Sequence, residues 1–234
     1  MPRGLSLSQF DAVLFDVDGT LVDSLEMIVR GLGDAFERYA QVRPSDEEIL
    51  RHIGRPLTAQ LGFFTKEEPT PQEIGEMTSF AIRRFEEYEE HERLFPAAVE
   101  TLRLCHRQGL GTALVTSKTT PELEGFMRRF EAADSVKITV CASDVISPKP
   151  HPESALRACE LLGVPPSRAV MIGDSIYDIR CAKDAGVASV GVAYGAGLRD
   201  DLRKEQPDLL LDKPEELLAW AQSAFLETTC RERS

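Results

Sequence analysis

Asp11-Ala12-Val13-Leu14-Phe15-Asp16-Val17-Asp18-Gly19-Thr20 begins with an apolar run of four residues and ends in two aspartates, a glycine and a hydroxyl. A run without polar alternation suits a strand covered on both faces, as in a parallel sheet. The same design returns downstream at residues 111–116 (GTALVT), 136–141 (VKITVC), 169–174 (AVMIGD) and 188–193 (ASVGVA), with 209–211 (LLL) as a short sixth strand. Helical patterns lie between these runs. After Pro152, residues Ala155, Leu156, Cys159 and Leu162 form one apolar stripe, and Gly163 supplies a stop. Ile176, Ile179, Ala182 and Ala185 form a second stripe that ends at Gly186. Strands alternating with helices predict an α/β fold built on a doubly wound parallel sheet.

The stretch from about Leu21 to Glu92 breaks this rhythm and reads as several helices with no strand. Met27, Ile28, Leu32, Ala35, Phe36 and Tyr39 share one helical face. Ser45-Asp46-Glu47-Glu48 is a capping box that predicts a new helix start. Phe80, Phe85 and Tyr88 belong to a later, acidic helix. The predicted organisation is an α/β core of residues 1–21 and 93–234 with a helical cap inserted at 22–92. The tail after Ala224 reads as frayed.

The chain has 234 residues, 42% hydrophobic and 28% charged, which is enough to bury a sizeable core. Its formal net charge is −12, and residues 21–92 carry sixteen acidic and eight basic side chains, most of that excess. Such acidity argues against nucleic acid or an anionic membrane surface as a partner. No apolar run approaches the roughly 20 residues of a membrane-spanning helix, and no apolar signal core precedes Asp11. Cys105, Cys141, Cys159, Cys181 and Cys230 are odd in number and contain no CxxC, as expected of reduced thiols in a cytoplasmic protein.

Ligands of a parallel α/β sheet bind beyond the carboxyl ends of its strands. Here those ends carry Asp16-Val17-Asp18-Gly19-Thr20, Thr116-Ser117-Lys118, Pro148-Lys149-Pro150 and Gly173-Asp174-Ser175-Ile176-Tyr177-Asp178. Four carboxylates on one sheet edge repel one another unless a cation or proton separates them, and their oxygens suit a hard ion such as Mg²⁺. Metal, lysine and hydroxyls together make a place for a phosphoryl group, whose oxygens need positive charge and hydrogen-bond donors.

These four segments, in this order, resemble the four motifs of the haloacid dehalogenase superfamily of phosphotransferases: Asp16-Val17-Asp18-Gly19-Thr20, Thr116, Lys149 and Gly173-Asp174-Ser175-x-x-Asp178. The resemblance covers essentially the whole chain, and the 22–92 insertion resembles that family's small helical cap. Between Thr116 and Lys149 lie 32 residues, room for one helix and one strand but not for the larger second type of cap. The resemblance implies that Asp16 is the nucleophile and Asp18 the general acid and base. It implies Mg²⁺ on the Asp16 carboxylate, the Asp18 backbone carbonyl and Asp174, with Asp178 one helical turn further on holding metal waters. Lys149, Thr116 and the Ser117 amide would hold the phosphoryl oxygens.

Dehalogenase and phosphonatase branches of the family lack an aspartate where this chain has Asp18, so the resemblance points to phosphate esters. The nearest likeness is the phosphoglycolate phosphatase and pyrophosphatase-like group, whose pattern resembles Pro148-Lys149-Pro150-x-Pro152. The substrate expected is a small phosphorylated metabolite: a phosphoglycolate-like compound, pyrophosphate or a sugar phosphate. A phosphomutase of the β-phosphoglucomutase type shares every motif named, and a phospho-accepting signalling module shares the aspartate, hydroxyl and lysine. Asp18 and the cap argue against the signalling module. Within the cap, His52-Ile53-Gly54-Arg55-Pro56 reads as a loop, and Arg55 is the candidate reader of the substrate beyond its phosphoryl group. His52, His91, His106 and His151 show no metal-ligand spacing.

Overall fold

In the computed structural model, residues 5–65 and 68–231 are described, with side chains through Phe225. In chain order the strands are β1 Ala12–Phe15, β2 Val22–Asp23, β3 Arg93–Leu94, β4 Gly111–Val115, β5 Ile138–Val140, β6 Ala169–Gly173, β7 Ala188–Val192 and β8 Leu209–Leu211. The helices are α1 Leu25–Tyr39, α2 Asp46–Leu50, α3 Leu57–Gly62, α4 Pro71–Glu87, α5 Pro96–Arg107, α6 Thr120–Arg129, α7 Glu153–Leu162, α8 Ile176–Asp184, α9 Arg199–Lys204 and α10 Pro214–Arg231.

Six strands form one sheet in the order β5-β4-β1-β6-β7-β8, and every neighbouring pair is parallel. The chain therefore grows outward in both directions from β1, and the crevice where it switches direction lies at the carboxyl end of that strand. Phe15 is in register with Leu114 on one side and Ile172 on the other, so the residues after all three strands emerge together.

The expected absence of alternation in β1 has a plain cause. Val13 and Phe15 enter a cluster with Leu102, Phe126 and Leu217, whereas Ala12 and Leu14 enter a second with Ala158, Met171 and Ala182 on the opposite face. Both faces are covered, and full burial of Leu14 or Phe15 contributes about 1.5–3 kcal/mol each.

Helices α1 to α4 enclose a third cluster, with Leu32, Phe36, Leu61 and Met77 at its centre. Capping boxes start α2, where Ser45 pairs with Glu48, and α4, where Thr70 pairs with Glu73. The two ends of this helical insertion are joined by an antiparallel ribbon, Val22 opposite Leu94 and Asp23 opposite Arg93. The sequence shows no strand there because a two-residue strand has no period to detect. The stripes also over-reach at their edges: Leu156 is 42% exposed and Tyr39 36%. Helix α10 continues to Arg231, past Ala224, where the sequence predicts fraying. No helix among the described residues is long and apolar enough to cross a membrane. Cys105, Cys141, Cys159 and Cys181 are buried and unbridged, and the Cys230 side chain lies outside the described residues.

Candidate active site

Asp16 directly follows β1, and its amide donates to Ile172 O at 2.9 Å, which carries the ladder with β6 one residue further. The chain then folds back tightly: Thr20, Leu21 and Val22 all donate their amides to Val17 O. Gly19 sits at φ +76, and a Cβ there would lie 2.1 Å from Asp174 Oδ2, so only glycine lets this turn lie against the end of β6.

Lys149 gathers the charges. Its Nζ donates to Asp16 Oδ1 at 2.8 Å, to Asp178 Oδ1 at 2.6 Å and to Val115 O at 3.1 Å, and its side chain is 1% exposed. Asp178 also caps its own helix, accepting from the Ser175 amide at 3.0 Å and from the Ser175 hydroxyl. Asp174 accepts from the Ala196 amide at 2.6 Å. Asp16, Asp174 and Asp178 each bring one carboxylate oxygen within 4.8 Å of the others, and all three are buried.

Burial pushes the Asp16 carboxyl up to about 7, Asp178 adds to the push, and Lys149 opposes it. Asp174 is raised well above the ordinary carboxylate range, first by burial and then by Asp16 and Asp178. Burial alone would depress the Lys149 ammonium, but Asp16 and Asp178 outweigh it and hold it above the ordinary lysine range. When all three are ionised, as a bound cation would require, three carboxylates against one ammonium leave a buried excess of two negative charges. That excess and the all-oxygen donor set fit a hard divalent cation such as Mg²⁺.

Asp18 lies at the mouth, 17% exposed, where its Oδ1 accepts from Ser24 Oγ at 2.5 Å and Lys118 Nζ at 2.9 Å. Lys118 is buried; the charges of Asp18 and Glu122 hold its ammonium up against the opposing effect of burial. Thr116 is buried beyond β4, and its hydroxyl accepts from the Lys118 amide at 3.2 Å. Asp16, Asp18, Thr116, Ser117 and Lys118 face one cavity from the sheet edge. From the insertion, Arg55 and an apolar wall that includes Phe85 face it too.

The residues singled out in the sequence thus converge on one edge, with Arg55 opposite them although it lies on a different packing unit. Ser117 has a use the sequence does not disclose: its hydroxyl donates to Gly54 O in the insertion at 2.7 Å. Asp178 appears first as the partner of Lys149 and as a helix cap, with both its oxygens engaged. Lys118 is visible at its strand end in the sequence but without a role, and its pairing with Asp18 spans a hundred residues. Ser24 and Tyr177 carry no signal of their own; Tyr177 OH accepts from Arg55 Nε at 2.7 Å.

Comparison with known proteins agrees with this arrangement. The family described as haloacid dehalogenase-like hydrolase matches residues 13–192. Pyrophosphatase PpaX of Bacillus pumilus is 32% identical over 215 residues, covering 91% of this chain and 96% of that protein. Phosphoglycolate phosphatase of Salmonella typhimurium is 31% identical over 233 residues, covering 91% and 92%. Among solved structures, CbbY from Rhodobacter sphaeroides in complex with phosphate aligns with a TM-score of 0.77 at 26% identity, covering 91% of this chain and 99% of that one. The phosphatase names of the relatives agree with the enzyme class read from the motifs, and the family match spans most of both the sheet and the helical insertion: the chain belongs to the haloacid dehalogenase-like hydrolase family.

Proposed function

We propose that this chain is an Mg²⁺-dependent phosphatase that hydrolyses a small phosphorylated metabolite through an aspartyl phosphate on Asp16. The observation that carries the reading is the buried Asp16 carboxylate, held at 2.8 Å by Lys149 and opening on a cavity beside Thr116, Ser117 and Asp18. Mg²⁺ would be held by the Asp16 carboxylate, the Asp18 carbonyl and Asp174, and when bound supplies the positive charge that lets a phosphate dianion approach these acids. Asp178 stands behind this set and positions Lys149.

Lys149, the Thr116 hydroxyl and the Ser117 amide bind the phosphoryl oxygens. An Asp16 oxygen forms a bond to phosphorus as the ester P–O bond breaks, and the leaving oxygen takes the proton of the Asp18 carboxylic acid. Asp18, now ionised, takes a proton from water. The water oxygen bonds to phosphorus as the bond between phosphorus and the Asp16 oxygen breaks, releasing phosphate and restoring the Asp16 carboxylate. We assign residues 22–92 as a cap over this site, with Arg55 meeting the part of the substrate beyond the phosphoryl group. The names of the relatives favour phosphoglycolate-like compounds or pyrophosphate as substrates over sugar phosphates. The buried, unbridged cysteines favour action in the reducing cytoplasm.

The test is release of inorganic phosphate from a panel of phosphorylated metabolites and 4-nitrophenyl phosphate, with Mg²⁺ and with excess chelator. Hydrolysis that needs Mg²⁺ and is lost in Asp16→Asn is expected. Isomerised sugar phosphate without net phosphate release would assign a mutase instead.

A further inference from the structure

Two contacts tie the cap to the sheet edge beside the cavity. Ser117 Oγ donates to Gly54 O at 2.7 Å, and Arg55 Nε donates to Tyr177 OH at 2.7 Å. Gly54 adopts φ +94, and a Cβ on it would lie 2.8 Å from Ser175 Oγ and 2.9 Å from the Tyr177 ring, so the loop backbone is pressed against the start of α8. The Arg55 guanidinium carbon lies 5.2 Å from the centre of the Tyr177 ring. On the other side, Gln60 Nε2 donates to Arg55 O at 2.7 Å, which fixes the arginine backbone from within the cap.

Tyr177 is 7% exposed and does not face the cavity, whereas Arg55 does. The tyrosine hydroxyl takes only the Nε of the arginine. Among the described residues, no hydrogen bond or ion pair engages the two terminal nitrogens, and no carboxylate lies in salt-bridge range of the guanidinium. Those two nitrogens form an edge suited to a planar carboxylate or to two oxygens of a phosphate.

We infer that Tyr177 is a positioning residue that fixes Arg55 by its Nε, so that the terminal guanidinium edge selects phosphate esters whose leaving group carries a second anion. The inference rests on the phosphatase reading above and adds to it the core residue that holds Arg55 to that selection. Tyr177 occupies the turn of α8 that also carries Asp178, the partner of Lys149. One helix therefore sets both ends of the substrate: the phosphoryl end through Asp178 and Lys149, the remote anion through Tyr177 and Arg55. A lysine at position 55 would retain the charge but has no Nε–H for Tyr177 to hold and no two-pronged edge.

The experiment compares kcat/KM for phosphoglycolate with kcat/KM for 4-nitrophenyl phosphate, both with saturating Mg²⁺. Tyr177→Phe keeps the ring and removes only the hydroxyl. It should lower the phosphoglycolate to 4-nitrophenyl phosphate ratio five- to tenfold, chiefly through KM for phosphoglycolate. In an Arg55→Met background, which offers Tyr177 no donor, the same change should leave the ratio where Arg55→Met alone puts it. Gly54→Ala, which drives the loop away from Tyr177, should lower the ratio independently of any effect on the hydroxyl. A ratio unchanged in Tyr177→Phe, or lowered equally in the Arg55→Met background, overturns the inference while Mg²⁺-dependent hydrolysis of 4-nitrophenyl phosphate leaves the phosphatase reading intact. Absence of that hydrolysis in the unaltered protein overturns both.

Discussion

Replacing Lys149 by methionine removes the single ammonium from a pocket that holds three buried carboxylates. The side chain it replaces is 1% exposed and bonds two of those carboxylates at 2.8 and 2.6 Å, so water cannot take over its role without opening the site. Removing one partner of a buried ion pair costs about 3–5 kcal/mol. For a chain of this size that corresponds to a melting temperature lower by about 6–20 °C. The cost depends on pH, and its sign follows from Asp16. Its folded pKa of about 7 lies above the ordinary carboxylate value, so its stabilising proton is fully held below the unfolded pKa and lost as pH rises through the folded one. Without Lys149 that pKa climbs further, so at pH 8 the variant's Asp16 keeps a proton that the parent's has lost, whereas at pH 6 both hold it. Thermal unfolding of Lys149→Met in chelator should therefore show the larger deficit at pH 8, by about 1.4 kcal/mol per pH unit for each extra proton bound. Saturating Mg²⁺ should recover part of it. A variant as stable as the parent at pH 8 in chelator would refute the charge balance proposed for this pocket.

Asp16→Asn should abolish both turnover and phosphoenzyme formation, read by phosphate release and by trapping of labelled protein. Asp18→Asn, given an aryl phosphate whose leaving group needs little protonation, should still form the phosphoenzyme but hydrolyse it slowly, so label accumulates. Arg55→Ala should lower kcat/KM for a substrate with a remote anion by about tenfold relative to an aryl phosphate, the loss of one charged hydrogen bond. Mg²⁺ must displace the proton that Asp16 holds with a pKa of about 7, and Asp174 is raised as well, so its affinity by titration calorimetry should be at least about tenfold higher at pH 8 than at pH 6.

How much of this could be read from the chain alone follows from the range of each interaction. The sheet was legible because its inner strands are covered on both faces over only four or five residues, and β1 shows it in four letters. The phosphoryl end of the site was legible for a related reason. In a parallel sheet the carboxyl ends must share an edge, so Asp16, Thr116 and Asp174 are neighbours once their strands are recognised. Asp178 shows where that logic stops. Its spacing from Asp174 placed it on the right face of α8, but only the folded chain reveals that Lys149, 29 residues upstream, already occupies one of its oxygens.

The proposed leaving-group end was less legible because it depends on how a separately packed helical insertion meets the sheet. Gly54-Arg55 announced a loop and a charge, yet nothing local indicates that Ser117, 63 residues away, grips the loop or that Tyr177, 122 residues away, takes the arginine Nε. The physical asymmetry is informative about how such a site divides its labour. The groups proposed to handle the phosphoryl unit lie on strand ends and the first turn of α8, where backbone ladders and the Ser175–Asp178 capping box fix them without help from the helical insertion. Arg55, proposed to meet the rest of the substrate, lies on a loop held across an interface by two hydrogen bonds, each contributing only about 0.5–1.5 kcal/mol net. On the proposed roles, changes in that interface redirect which ester is accepted while Asp16, Lys149 and Asp18 stay where the sheet places them.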